Sequence, residues 1–155
     1  MTHLRLWIGI VAAALNITTA VASKDLGTSA LWSHLQSTAD IGEQRALSAT
    51  WTPSTASGEL LLTVTNSPNY AWVTIPAPAG GWNLKRRELV EATISNRSAI
   101  TAKVLLWVVG DHGWDAVPDE VGLGPSESRQ FSCRLRETYP DGMPKIDPGQ
   151  VREIR

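Results

Sequence analysis

Ala102-Lys103-Val104-Leu105-Leu106-Trp107-Val108-Val109, followed by Gly110-Asp111-His112-Gly113-Trp114-Asp115, is the stretch on which the fold turns. Apart from Lys103 the octet is apolar, and its β-branched valines favour a strand over a helix. Near-continuous apolarity reads as a strand buried on both faces, at the centre of a sheet, with Trp107 in the core. The glycine-rich, polar stretch after it reads as a loop at the strand's end.

Outward in both directions the same alternation of strand and turn continues. Upstream, Leu89 to Ser95 sets Val90, Ala92 and Ile94 against Glu91 and Thr93, the pattern of a half-buried strand, and Asn96-Arg97-Ser98 follows as a loop carrying a glycosylation sequon. Tyr70 to Ile75 is a further strand stopped by Pro76 and Pro78, and Leu60 to Thr65 another stopped by Asn66-Ser67-Pro68-Asn69. A first strand is expected near Ala46 to Trp51, then a loop to Gly58. Downstream, Gly110 to Pro125 reads as turn-rich and Arg129 to Arg136 as a strand. Tyr139-Pro140-Asp141-Gly142 and Asp147-Pro148-Gly149 are turns, and Val151 to Arg155 opens one more element. Many short strands, no long helical period and no internal repeat predict an all-β protein, a single antiparallel two-sheet β-sandwich or jelly roll, with its last strands expected to be missing.

The amino terminus reads differently. A short polar stretch with His3 and Arg5 precedes the apolar run Leu6 to Leu15, and Ala20-Val21-Ala22 offers small residues for a peptidase, the three parts of a secretory signal. The run is well short of the ~20 residues that cross a bilayer. The expected organisation is a signal peptide over 1–22, cut after Ala22, a lead-in segment with the first strand over 23–58, and a β-sandwich domain over 59–155. The product is then secreted or periplasmic, with no membrane attachment after cleavage. The chain carries 14 Lys and Arg against 15 Asp and Glu, a net charge of -1, and losing Arg5 makes it more acidic. That balance argues against nucleic acid as a partner. A single cysteine, Cys133, excludes an intrachain disulfide. It alternates with Phe131 and Leu135, which reads as a buried small hydrophobe rather than a nucleophile.

Seven of the ten aromatic residues are Trp, and only Trp7 falls within the signal. Trp joins a broad apolar face to an N–H donor, a combination suited to positions that are half buried and half presented to a ligand. In the loop after the octet, Trp114 is the candidate platform for a sugar ring, with Asp111, His112 and Asp115 to meet hydroxyls. Trp82, after Gly80-Gly81, is a second candidate, and the adjoining Lys85-Arg86-Arg87 would suit an acidic or sulfated glycan, or form a solvated face. Tyr70 and Trp72 share one strand face, either as an exposed aromatic pair or as core. The carboxylates of the loop also admit a structural calcium, though not at EF-hand spacing, and a solvated turn explains the same composition. No catalytic motif is present: no nucleophile elbow, zinc helix, phosphate loop or dinucleotide fingerprint. No catalytic residue, enzymatic activity or cofactor is therefore expected.

The region from about Leu61 to Ile154 resembles the carbohydrate-binding-like β-sandwich that accompanies catalytic domains in secreted bacterial agarases and related polysaccharide-degrading enzymes. The resemblance rests on Val90 to Asn96, Leu106 to Val109, Leu123 to Ser128 and Pro144 to Val151. It implies a non-catalytic role on a polysaccharide or oligosaccharide, association with a glycoside hydrolase, and a structural-metal ligand at Asp147. Two alternatives stand beside a glycan-binding module. One is a structural or adhesive β-domain that binds protein through an open edge or aromatic face, the other a fragment of a larger secreted glycoside hydrolase.

Overall fold

A computed structural model describes residues 11–16, 37–53, 58–64 and 71–155. Within them the chain is almost wholly extended: the strands are β1 (Val11–Asn16), β2 (Gln44–Arg45), β3 (Leu47–Pro53), β4 (Gly58–Val64), β5 (Trp72–Val73), β6 (Ile75–Pro76), β7 (Leu89–Asn96), β8 (Ala102–Val109), β9 (Ala116–Leu123), β10 (Ser128–Arg134) and β11 (Glu153–Ile154). The helical exception among the described residues is a single 3-10 turn, Thr38–Asp40, closed by a capping box in which the Ser37 hydroxyl accepts from Ala39 N–H and the Asp40 carboxylate accepts from Ser37 N–H. The protein is all-β, with antiparallel sheets ordered β10-β7-β1-β4-β3, β6-β11-β8-β9 and β2-β5.

Alternation decides which way each strand faces. On β7, Val90, Ala92 and Ile94 are buried, and on β10 Phe131 and Cys133 are buried beside them. On β8 the inward set is Leu106 and Val108, joined by Val117 and Leu123 of β9 and Ile154 of β11. These residues of the two larger sheets form one hydrophobic cluster with Trp82, Leu84, Leu135, Ile146 and Val151. Burying each large side chain among them is worth ~1.5–3 kcal/mol.

Four expectations are overturned by the fold, three of them by burial and pairing around β8 and β9 and one by a split strand. First, β8 is not buried on both faces. Lys103, Leu105 and Trp107 alternate outward, and Trp107 retains 37% exposure instead of sitting in the core. The apolar run misleads because its outward face is itself apolar. Second, the stretch expected to be all turn contains an eight-residue strand, β9, paired with β8 from Ala102↔Leu123 to Val109↔Ala116. Pro118 and Asp119 hide it. β9 is an edge strand, where a proline is tolerated. Asp119 shares the inward side with Val117 and Val121, and its carboxylate accepts the Ser132 N–H of β10 at 2.7 Å. A carboxylate on the inward side thus supplies the acceptor that a neighbouring strand would otherwise provide, and ties the edge of one sheet to the edge of the other.

Third, Asn96 is not a loop residue open to glycosylation. It ends β7 at 1% exposure, its amide donates to the carbonyls of Ile100, Leu123 and Gly124, and its Oδ1 accepts from Ser98 N–H and Oγ. A glycosylated amide could not keep those bonds.

The strand expected over Tyr70 to Ile75 is split: Trp72–Val73 pairs with β2, while Ile75–Pro76 pairs with β11 in another sheet. The closing residues form β11, inserted between β6 and β8, with Arg155 exchanging backbone bonds with Trp107 at 2.9 Å. At the other end, the apolar run read as an export signal supplies β1, paired with β4 from Val11↔Val64 to Leu15↔Leu60 and with β7 from Ala13↔Asn96 to Asn16↔Thr93. A chain cut after Ala22 lacks this strand, so β4 and β7 lose their shared neighbour.

Candidate functional site

The β8–β9 hairpin turns through Gly110 to Asp115, and its conformation follows from one buried carboxylate. Asp115 is 8% exposed, and its Oδ1 accepts the His112 N–H at 3.0 Å while its Oδ2 lies 3.7 Å from His112 Nδ1. Its backbone carbonyl accepts Gly110 N–H at 2.8 Å. Gly110 is required by contact, not by a positive φ: a Cβ there would lie 2.0 Å from Asp115 Oδ2. Gly113, at φ 77°, makes the reversal that a non-glycine residue would resist. Asp111 points the other way and pairs with Arg152 just before β11.

The loop thus presents Trp114 outward at 75% exposure, the most exposed of the large hydrophobic side chains described. His112 flanks it, ring centroids 5.6 Å apart and planes inclined at 39°. An aromatic face held in water by a braced loop can stack on an apolar ligand face, and the adjacent imidazole adds a hydrogen-bonding edge. Asp115 and Asp111 serve the loop's own geometry, one as its internal brace and one as its tie to Arg152. They are positioning groups more than free hydroxyl partners.

Of the other sequence candidates, Trp82 is 8% exposed and belongs to the core cluster. Its N–H donates to Val151 O at 2.8 Å and its carbonyl accepts Val151 N–H at 3.2 Å, which seats the ring inside. It presents no platform. Trp72 is half-buried with the Arg45 guanidinium 4.6 Å over its ring, a cation–π contact that covers one of its faces. Tyr70 lies outside the described residues. Asp147 is exposed, and its Oδ1 accepts Gly149 N–H at 2.8 Å, the self-satisfied turn typical of Asp before Pro-Gly. Among the described residues no group of three His, Cys, Asp or Glu side chains is placed to hold a metal ion.

Sequence reading misses Trp107 as a surface residue. It lies on the outward face of β8, opposite Pro118 of β9 and beside Leu105, which is 40% exposed and opposite Glu120. The signal that finds it is Lys103: a charged residue at the same parity as Leu105 and Trp107 marks that face as the wet one. Cys133 is buried at the sheet interface, its thiol donating to Leu106 O at 3.5 Å. Burial, then the charges of Asp119 and Glu137, pushes that thiol up to about 12, so it stays un-ionised and unreactive at neutral pH.

No family model, curated protein or solved structure matches this chain.

Proposed function

We propose that this chain is an exported, non-catalytic polysaccharide-binding module, a two-sheet β-sandwich whose Trp114 stacks on a sugar ring with His112 beside it. The observation that carries the reading is the exposure of Trp114 on a loop braced from within by Asp115. A core has no use for a tryptophan in water, and a loop already ordered loses little conformational entropy on binding. Sugar hydroxyls at this site would meet the His112 ring and the loop backbone, since Asp111 is already engaged by Arg152.

The test is affinity electrophoresis and calorimetry against neutral plant and algal polysaccharides. Retardation is expected for the native chain, and Trp114→Ala should weaken binding by about thirtyfold or more, the ~2 kcal/mol of a central aromatic anchor. No retardation on any neutral glycan would overturn the reading.

Export is proposed on Met1–Ala22. The mass of the protein recovered outside the cytoplasm separates a cut chain from one that keeps β1. The binding reading does not depend on the outcome, because Trp114 sits between strands of the sheet that contains no residue of that run. The outward face of β8, with Leu105 and Trp107 next to the edge strand β9, favours a second reading as a protein-binding domain. Concentration-dependent association in light scattering, abolished by Trp107→Ser and without sugar binding, would favour that one.

A further inference from the structure

Lys85-Arg86-Arg87 is adjacent to Arg134 and Arg136 only in the folded chain. Leu89 opposes Arg134 across the β7–β10 ladder, Leu135 N–H donates to Glu88 O at 2.9 Å, and Arg136 Nη2 donates to Lys85 O at 2.6 Å. Together these contacts set the guanidinium groups of Arg134 and Arg136 on the wall of a cleft of about 530 Å³ lined by Glu88, Leu89, Arg134, Arg136, Glu137 and Thr138, with the Lys85 backbone alongside. That volume falls within the ~300–1,000 Å³ of small-ligand clefts.

The charge arrangement distinguishes this cleft from the rest of the surface. Elsewhere among the described residues cations meet partners, as Lys103 with Glu120 at 2.8 Å, Arg129 with Glu127, Arg152 with Asp111, Arg155 with Glu153, and Arg45 over Trp72. Among the described residues Arg86, Arg134 and Arg136 form no ion pair, and all three are exposed. Of the two carboxylates on the cleft wall, Glu137 is taken by Lys145 at 2.7 Å, which leaves Glu88 as the one opposing charge on that wall. In a chain of net charge -1, this concentration of unmatched guanidinium is local, not a reflection of overall basicity.

We propose that the cleft is a second binding site, for the carboxylate of a uronate residue in an acidic polysaccharide. The planar fork of Arg134 takes the carboxylate in two parallel bonds, Arg136 adds charge, the half-buried Leu89 meets the apolar face of the sugar, and the Thr138 hydroxyl meets one of its hydroxyls. Only the choice of a sugar as carrier of the anion rests on the glycan-binding reading. The site itself stands on geometry and charge at the start of β7, apart from the Trp114 loop.

Calorimetry and affinity electrophoresis with polygalacturonate, with neutral galactan as control, test it on the full chain. Binding to polygalacturonate is expected to weaken as NaCl is raised. Arg134→Gln, which disturbs no side-chain bond of the fold, should weaken it about tenfold, and Arg134→Lys should recover part of the loss, because charge returns without the fork. Binding of any neutral glycan the native chain retains should be unchanged in Arg134→Gln and weakened about thirtyfold in Trp114→Ala. Polygalacturonate binding that is absent in the native chain, or equal in Arg134→Gln and the native chain, overturns the proposal. Salt-sensitive, Arg134-dependent binding in a chain that ignores every neutral polysaccharide would uphold this site and sink the Trp114 platform instead.

Discussion

Trp82 and Trp114 leave the backbone under the same local conditions and arrive in opposite environments. Each follows a glycine with positive φ, 78° at Gly81 and 77° at Gly113. Around Gly81 the space is taken: a Cβ would lie 3.0 Å from Val151 O, the strand segment to which Trp82 is bonded on both its N–H and its carbonyl. Around Gly113 nothing lies within 4 Å. The turn therefore does not determine the fate of the tryptophan after it. Trp82 is drawn inward by a long-range backbone bridge, whereas the Trp114 loop closes on itself through Asp115 and leaves its ring in water.

The most forceful way to break this contrast is to remove the inner ring. Trp82→Ala should cost ~3–5 kcal/mol, the loss of transfer energy plus a cavity, seen as a lower midpoint in urea or guanidinium unfolding. An effect below ~1 kcal/mol would mean that Trp82 does not carry core packing.

Alkaline titration probes the same core by a different route. The folded Cys133 thiol ionises near 12 against an ordinary 9.0, so the stabilisation from keeping it neutral is complete below 9.0 and lost as pH rises toward 12. Urea midpoints should fall across that window, and the slope should flatten in Cys133→Ala. Thiol reagents should modify Cys133 only on unfolding.

Asp115→Ala removes the acceptor from His112 N–H and should cost ~1–3 kcal/mol. Sugar affinity should drop with it although Trp114 remains, because the platform is no longer held. Gly110→Ala should imitate that loss by displacing the same carboxylate.

The smallest effect on stability belongs to the outer ring. Trp114→Ala should change unfolding free energy by no more than ~0.5 kcal/mol while weakening retention on neutral glycan about thirtyfold. A large destabilisation would show that the loop tryptophan packs after all and would erase its difference from Trp82.

Strands that alternate cleanly are legible in the amino-acid sequence: β7, β8 and β10 lie within a residue or two of their expected bounds. β9 is not legible there, because Pro118, Asp119 and Glu120 resemble turn chemistry until an edge position and the Ser132 N–H give them a role. In the candidate site, Trp114 and His112 are readable as exposed loop residues. The inward turn of Asp115 is not, since a carboxylate in a glycine-rich loop is ordinarily solvated and here its bond to His112 N–H, with that of the Asp115 backbone carbonyl to Gly110 N–H, holds it in.

Apolar run length is ambiguous in the same way. Leu6 to Leu15 has the composition of an export signal, yet Val11–Asn16 has pairing partners on both sides in the folded sheet. Composition registers only that such a run avoids water, and both a signal receptor and a sheet provide that.

By itself the sequence determined the all-β class, the strands that alternate cleanly, the lack of a disulfide and the inward position of Cys133, because side-chain parity and backbone propensity are local. Tertiary structure alone decided which tryptophan is core and which is surface, which aspartates brace the fold, and that Arg134 and Arg136 line one cleft, with Arg136 reaching Lys85 O. Those outcomes depend on contacts between residues far apart in the chain, such as Trp82 with Val151 and Asp119 with Ser132, and no local pattern encodes who the partner will be.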